Sequence, residues 1–500
     1  MIVEQAGKAM SWSILAKVAR FVAMPLSYIV IVRSLGEHDW GVLNVLRTIT
    51  AFALIIVMLG GEKAVLRYFP EVRVKGGMRS LLSDLGRLAA VQAAAWAALT
   101  VAGYLSGDWL ASLFHQDPSV FGRYIVIALG LVLFEAGMTL TMNVLQSWYE
   151  TRRMAIVMVA GNIIYIVLLI FLMKYRAGVA GVLAAGGAVN LLMILLLVPV
   201  LVKLTGKMAG DDVPGPGAGR ILKYSLPFVA TGLLNQIVWR HSEVLFLGHF
   251  SGMEAAGHFG LAYRIPQMAL EFIPLSIWPI VMAGISEAYA REPGKLSESV
   301  DLYFRLVFLL VVPVAAMGFA FSAPLIPILF GAEMAPAGDI TRLFFVVFSY
   351  SFLYTPLSMA LYVMEKSWVN MLVFAALAIV NIGLDLAFIP RFGLWGAFFP
   401  VAAVMLLAVM IFRTVAGRFD SRLSIPAGFI ARCYLAALPT ALLGLSASRW
   451  DSPIALAAQM LIGVFLLFAG VKLLRLFGER EKALLMRLPI PLKEKIVSIL

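Results

Sequence analysis

Leu35-Gly36-Glu37-His38-Asp39-Trp40-Gly41-Val42-Leu43-Asn44-Val45-Leu46-Arg47 and Phe250-Ser251-Gly252-Met253-Glu254-Ala255-Ala256-Gly257-His258-Phe259-Gly260-Leu261-Ala262-Tyr263-Arg264 carry one pattern twice. Their glycines and arginines are offset by about 216 residues, and Gly178-Val179-Ala180-Gly181 returns at about the same offset as Gly393-Leu394-Trp395-Gly396. Two landmarks sharing one offset imply two similar lobes. Each copy follows or borders a long apolar run, so the repeating unit is a set of apolar helices. If each lobe holds an even number of membrane spans, both lobes run in the same orientation, as a parallel repeat about an axis along the membrane normal. Such repeats are a transporter signature, with the substrate site expected between the lobes.

Composition agrees. Of 500 residues, 62% are hydrophobic and 14% charged, with mean hydropathy +0.93. Soluble domains run at about 45–50% apolar and about 25% charged, so a soluble enzyme, a secreted module and a disordered scaffold are excluded in favour of a polytopic membrane protein. One cysteine, Cys433, gives no disulfide framework and no Cys metal site, and the five histidines have no ligand spacing. No cofactor and no metal are expected. No G-x-S-x-G, P-loop, H-E-x-x-H or C-x-x-C pattern occurs. The run from Ser11 to Val32 is too long for a signal-peptide core, carries Lys17 and Arg20, and reads as a first span.

A bilayer core about 30 Å thick needs about 20 apolar residues per helix. Fourteen runs qualify, at roughly 11–32, 42–61, 88–106, 124–142, 154–173, 178–201, 224–248, 259–284, 306–330, 343–363, 368–389, 393–412, 427–447 and 453–474. With the N-terminus inside, the inner loops and tail hold about 27 Lys and Arg against about seven outside, a strong positive-inside bias. The net charge of +12 is then a topology signal and an attraction to anionic membrane lipids; nucleic acid has no place. The expected class is an all-α polytopic membrane protein of the cytoplasmic membrane with both termini cytoplasmic. Its divisions are an N-terminal lobe at 1–204, a Pro/Gly-rich linker at 205–220, a C-terminal lobe at 221–415, two appended helices within 416–477, and an amphipathic tail at 478–500.

Charges inside spans are costly, about 2.5–3.5 kcal/mol each at mid-membrane depth on insertion scales. They therefore mark a wet cavity, a partner or a snorkelling end. Lys17 and Arg20 share a face of the first span. Asn44 and Arg47 share a face of the second, and Arg264, Gln267 and Glu271 a face of the eighth. Arg47 and Arg264 are repeat equivalents, each about six residues into its span. Glu271 reads as an internal partner for Arg264, or as a proton-coupling group. Glu135, Thr139 and Asn143 make a polar stripe along the fourth span that either lines a cavity or cements helices. Arg240 and Glu243 in the seventh span either pair at i, i+3 or face a cavity. Ser351, Tyr354, Thr355 and Ser358 form a polar face in the tenth. Pro25, Pro266, Pro274 and Pro279 fall inside spans one and eight, as fixed bends or as hinges.

The stretch Asn381-Ile382-Gly383-Leu384-Asp385-Leu386-Ala387-Phe388-Ile389-Pro390-Arg391-Phe392-Gly393-Leu394-Trp395-Gly396-Ala397 is similar to the N-x-x-L-(N/D)-x-x-x-I-P-x-(F/Y)-G-x-x-G-A pattern of the polysaccharide transporter family. That family includes the Wzx-type flippases and belongs to the multidrug/oligosaccharidyl-lipid/polysaccharide exporter superfamily. Arg33-Ser34-Leu35-Gly36 through Trp40-Gly41 resembles the family's R-x-L-G-x-x-(D/E)-(Y/W)-G opening, and Gly331-Ala332-Glu333-Met334 its loop before the tenth helix. The likeness covers about residues 5 to 420. It implies a flippase that takes an undecaprenyl-diphosphate-linked glycan from the inner to the outer leaflet, with other polysaccharide-assembly proteins as possible partners. Related members carry cations on the first, second and eighth helices in a central cavity, where Lys17, Arg20, Arg47 and Arg264 stand here. Arg suits a diphosphate because its planar fork binds phosphate oxygens bidentately. The drug exporters of the superfamily often carry an acid on the first helix, and none lies between Glu4 and Glu37.

Three functions are weighed on this basis. The leading one is a flippase for an O-antigen, exopolysaccharide or capsule unit, with lipid II as an alternative cargo. A cation-coupled multidrug exporter is disfavoured if the arginines face the cavity, because a cation about 8 Å from one of them is repelled by about 2 kcal/mol at an effective dielectric of 20. A membrane enzyme of glycan assembly lacks an outer loop rich in acids, Arg or His.

Overall fold

The computed structural model describes residues 2–75, 78–148, 150–206, 217–239, 242–447, 453–476 and 478. Among them the regular structure is helical: α1 (Ile2–Met58), α2 (Gly61–Lys75), α3 (Met78–Leu105), α4 (Gly107–Leu113), α5 (Pro118–Ser147), α6 (Thr151–Lys174), α7 (Gly178–Gly206), α8 (Ala218–Trp239), α9 (Glu243–Phe250), α10 (Met253–Arg291), α11 (Leu296–Phe330), α12 (Ala335–Ser351), α13 (Thr355–Val363), α14 (Ser367–Phe419), α15 (Ala427–Ala447) and α16 (Pro453–Leu473). Ten helical stretches among the described residues are long and apolar enough to cross a membrane. The chain is an all-α, multi-pass membrane protein.

Two of these stretches explain how ten relates to the fourteen expected runs. At 1.5 Å per residue, a straight helix of the 57 residues of α1 would be about 85 Å long, nearly three times a bilayer core. It does not run straight. Gly36, at φ 76° and ψ 178°, breaks it between the first and second expected runs, and Gly393, at φ 53° and ψ −126°, breaks α14 between the eleventh and twelfth. Only glycine takes such angles cheaply. The seventh expected run covers parts of α8 and α9 and the eighth falls within α10, and none of these helices is among the ten.

The left-handed positions repeat with the sequence. Gly36 (φ 76°) matches Gly252 (φ 93°), His115 (φ 55°) matches Gly331 (φ 112°), and Gly178 (φ 57°) matches Gly393 (φ 53°). Each pair is about 216 residues apart. The same backbone reversal thus sits at the same place in both halves of the sequence.

The chain forms two compact units, Met1–Gly257 and His258–Leu500. In the first, α1 packs on α6 and α5, α5 on α7 and α3, and α6 on α7. The amphipathic α2 turns Ala64, Val65, Tyr68, Phe69 and Val72 onto Leu81 and Leu88 of α3 and Ile221 of α8. This stretch has too many charges for a span, and its helix was not among the expected runs. The expected linker lies mostly outside the described residues, but its end is tied down where the Gly217 N–H donates to Asp84 at 2.9 Å.

The two copies of the opening pattern also touch within this unit. The Trp40 indole N–H donates to the Gly257 carbonyl at 3.0 Å. A methyl group on Gly41 would overlap the Met253 carbonyl, and one on Gly257 would stand 2.8 Å from the Glu37 carbonyl oxygen. Gly41 and Gly257 are repeat equivalents, as are Glu37 and Met253, so the contact is reciprocal: each glycine admits the other copy's backbone.

In the second unit α11 packs on α12 and α15, α15 on α16, and α14 on α12 and α13. The expected appendage, α15 and α16, is held by the Thr440 hydroxyl, which donates to the Gly463 carbonyl at 2.9 Å. It is also held by backbone approaches of Gly444 to Ala320 and of Gly470 to Ala436. The expected polar face of the tenth span is corrected here. The helix stops at Ser351 and restarts at Thr355, so Ser351 and Ser358 do not share a continuous face. Ser351 instead donates to the Phe348 carbonyl, and the Ser358 carbonyl accepts from Asn370 at 3.2 Å. Asn381 and Asp385 of the family-like stretch form a buried pair at 3.0 Å.

The reciprocal glycine contact gives a direct expectation. Gly41→Ala and Gly257→Ala each force backbone apart and should cost about 1–3 kcal/mol or more, lowering the unfolding midpoint of the detergent-solubilised protein. Gly86→Ala, in the exposed middle of α3 with nothing near its Cβ position, should leave the midpoint unchanged or raise it. Equal midpoints for all three would show that the contact is not tight.

Candidate functional site

A cavity of about 500 Å³ opens in the first unit, within the range of about 300–1,000 Å³ usual for small-molecule sites. Helix α5 gives it Glu135, Met138, Thr139, Met142, Asn143 and Gln146. This i, i+3, i+4, i+7, i+8, i+11 series lies on one helical face. Helix α6 adds Met154, Met158 and Asn162, α7 adds Asn190 and Met193, and α1 supplies Arg20. Beneath the wall, Met138 joins Leu145 and Leu197 in a buried cluster against which Met142, Val157 and Met193 pack. Gly161 lets the Met193 thioether lie against α6.

The expected polar stripe therefore lines the cavity. Its shorter members are bonded to their own helix: Thr139 Oγ1 donates to the Glu135 carbonyl at 2.8 Å, and Asn143 Nδ2 to the Thr139 carbonyl at 2.7 Å. Gln146, Asn162 and Asn190 make no side-chain hydrogen bond among the described residues. Glu135 is exposed and lines the cavity. It lies within electrostatic reach of both Arg20 and Arg47, the cations expected on the first and second spans. Arg20 is exposed in the cavity.

Arg47 is held differently. Its Cζ lies 5.5 Å from the Tyr28 ring centroid and 5.7 Å from that of Trp40. Those two rings meet edge to face at 5.2 Å. Tyr165 lies close to the guanidinium, and Nη1 is buried without a hydrogen bond. A cation over two aromatic faces gains about 0.5–2 kcal/mol per contact, more when desolvated, which offsets part of the cost of taking the charge out of water. Trp40 is itself fixed by Gly257, so the repeat contact positions the platform for Arg47. Asn44, grouped with Arg47 on spacing, is buried, and its Nδ2 donates to the Trp40 carbonyl at 2.9 Å. It braces the helix that carries Arg47.

In the second unit Arg264 has a different set of partners. Arg264 Nη1 donates to Gln267 Oε1 at 2.9 Å, and Gln267 Nε2 donates to Glu271 Oε1 at 3.2 Å. The expected Arg264–Glu271 pair is thus joined through Gln267, which is 1% exposed and orients both charged ends. Glu271 lies near Tyr354, and Arg264 Nε is buried without a hydrogen bond. Lys17 belongs to α1, but its side chain lies outside the described residues. Arg240 and His241 lie outside them entirely.

Sequence reasoning missed the methionine wall, Asn162, Asn190 and the Tyr28–Trp40–Tyr165 surround of Arg47. A signal existed for the two asparagines, since each is a lone carboxamide inside an otherwise apolar run. For the methionines there was none, because a methionine facing a cavity and one facing lipid read alike.

The chain matches the model of a family described as polysaccharide biosynthesis protein over residues 30–338, more than half its length, and it belongs to that family. No curated protein matches its sequence. Among solved structures it is similar to the lipid II flippase MurJ in an inward closed conformation, with a TM-score of 0.74 and 14% identity over 92% of this chain and 98% of that one. It is similar also to an inward-facing multidrug resistance MATE family transporter of the MOP superfamily, with a TM-score of 0.65 and 16% identity over 81% and 95%. A MOP superfamily transporter from Pyrococcus furiosus aligns with a TM-score of 0.57 and 16% identity over 83% and 96%. At these identities the likeness establishes the fold.

The two arginines of the first unit should behave differently when truncated. Arg47→Ala removes the cation stacked on the Tyr28 and Trp40 rings, so a loss of about 1–3 kcal/mol is expected. Arg20→Ala, at an exposed position, should stay within about 0.5 kcal/mol. Unfolding midpoints of the purified variants check this, and equal losses would contradict the assignment of Arg47 as the packed cation.

Proposed function

We propose that the protein is a flippase for an undecaprenyl-diphosphate-linked oligosaccharide, of the O-antigen, exopolysaccharide or capsule repeat-unit class. It works in the cytoplasmic membrane, with both termini on the cytoplasmic side, by alternating access. Family membership supports the link to polysaccharide assembly, and the fold shared with a lipid II flippase supports a lipid-linked cargo. The observation that carries the reading is a polar cavity among apolar helices with an exposed guanidinium, Arg20, on its wall.

In this reading Arg20 takes diphosphate oxygens through its planar fork. Arg47 adds a second positive charge, and Glu135, within electrostatic reach of both arginines, compensates them when the cavity holds no cargo. Lys17, three residues before Arg20 in the sequence, is a further candidate for the same anion. Arg264 is the repeat counterpart of Arg47 and carries the same assignment in its own unit. The polyprenyl tail stays in lipid. The attraction has to remain moderate, because a site of equal affinity in both conformations shifts neither. A membrane potential supplies about 2.3 kcal/mol per charge per 100 mV and would act on ions or on the moving arginines.

A second reading, a cation-coupled exporter, is favoured by the carboxylate of Glu135 in the cavity and by the MATE-like fold. One experiment separates the two. Proteoliposomes are loaded with a fluorescent undecaprenyl-diphosphate oligosaccharide, and its appearance on the opposite face is followed with and without an imposed potential or ion gradient. The flippase reading expects transfer by the wild type. It expects at least tenfold slower transfer by Arg20→Ala, Arg47→Ala and Arg264→Ala in protein that remains monodisperse, and partial rescue by Arg20→Lys. Undiminished transfer by the variants, or transport of a lipophilic cation in place of the lipid, would overturn it.

A further inference from the structure

The cavity holds more than a phosphate site needs. Beyond Arg20 and Glu135, its polar lining is carboxamide: Asn143, Gln146, Asn162 and Asn190, with the hydroxyl of Thr139. Its remaining lining is methionine from α5, α6 and α7. A diphosphate calls for cations, and neutral amides add little to its binding. An apolar or lipophilic cargo would leave the amides desolvated and unpaired, which is unfavourable. A sugar ring suits both surfaces. Its edge bears hydroxyl or acylamino groups that donate and accept, as a carboxamide does, and its face is a patch of C–H groups that an adaptable thioether side chain can cover.

Charge narrows the class further. Glu135 stands on the same α5 face as Asn143 and Gln146, and among the described residues the cation that shares the cavity lining with it is Arg20. A uronic acid on this wall would bring a second carboxylate toward Glu135 while Arg20 is engaged by the diphosphate. We infer that the amide and methionine wall of α5, α6 and α7 takes the glycan part of the cargo, and selects a neutral, hydroxyl- and acylamino-bearing chain against one carrying carboxylates. This rests on the reading that the cargo is a lipid-linked glycan, and it adds the class of sugar and the residues that sort it. Asn162 and Asn190, on different helices and without side-chain hydrogen bonds among the described residues, are the specificity residues. Glu135 is the charge filter.

The test uses the full-length protein in lipid nanodiscs and three probes: undecaprenyl diphosphate alone, the same lipid bearing an N-acetylglucosamine disaccharide, and the same lipid bearing a disaccharide with a terminal glucuronic acid. Affinities are read as ratios to that of undecaprenyl diphosphate within each variant, so that a loss of folded protein cancels. For the wild type the neutral glycan should raise the affinity at least tenfold and the acidic glycan should give no gain. Asn162→Leu and Asn190→Leu should each pull the neutral ratio toward one. Glu135→Gln should raise the acidic ratio at least fivefold and leave the acidic and neutral probes within a factor of about three of one another. A neutral ratio near one in the wild type, or an acidic ratio unmoved by Glu135→Gln, would overturn the inference. The diphosphate assignment fails separately, if Arg20→Ala and Arg47→Ala bind undecaprenyl diphosphate as the wild type does; the ratios among glycans can still be read.

Discussion

A guanidinium inside an apolar helix bundle must be given something in place of water, and much of this protein is arranged around that requirement. Leaving an ion without compensation in a low-dielectric interior costs several kcal/mol even after relaxation. Arg47 meets the requirement with Tyr28, Trp40 and Tyr165, and Trp40 is in turn anchored on the Gly257 carbonyl. The close approach of the two repeat copies, which Gly41 and Gly257 permit, therefore supports the platform on which a partly buried charge rests. Arg20, on the cavity wall, is accessible and lies within electrostatic reach of Glu135. Two cations near one glutamate, one packed and one accessible, form a locally positive surface that a diphosphate can complete.

The repeat equivalents show how far one solution can diverge. Arg47 is held by aromatic faces, and Arg264 by a glutamine that links it to Glu271. Both arrangements leave one guanidinium nitrogen buried and without a hydrogen bond. The backbone diverged less, since the left-handed residues recur at matching positions in the two halves. Turns that reverse a membrane chain tolerate few alternatives, whereas the groups that surround a charge can be exchanged as long as the charge stays compensated.

Much of this was legible in the sequence. The glycine and arginine landmarks located the repeat, and the apolar runs located most of the helices, because a membrane span is defined by composition over a fixed length. Arg20 and Glu135 were identified as candidates for a cavity because ionisable residues in spans are rare enough to be informative. What stayed hidden depends on which face of a helix meets which neighbour. Helix α2 lies outside the apolar runs, although Ala64, Val65, Tyr68, Phe69 and Val72 trace a buried stripe. Asn44 shares a face with Arg47 yet serves the backbone. The gap between α12 and α13 split a polar face that spacing had joined. In an apolar span the hydrophobic periodicity is nearly flat, so it points to neither lipid nor cavity, and the methionine wall could not have been picked out.

The most direct test of the account is a cryo-EM structure of the protein in nanodiscs with an undecaprenyl-diphosphate-linked neutral oligosaccharide bound. The account predicts the diphosphate within hydrogen-bonding distance of Arg20, in the cavity walled by α5, α6 and α7, with the sugar against Asn162 and Asn190. Phosphate density that touches neither Arg20 nor Arg47, or a cargo bound outside that cavity, would contradict it.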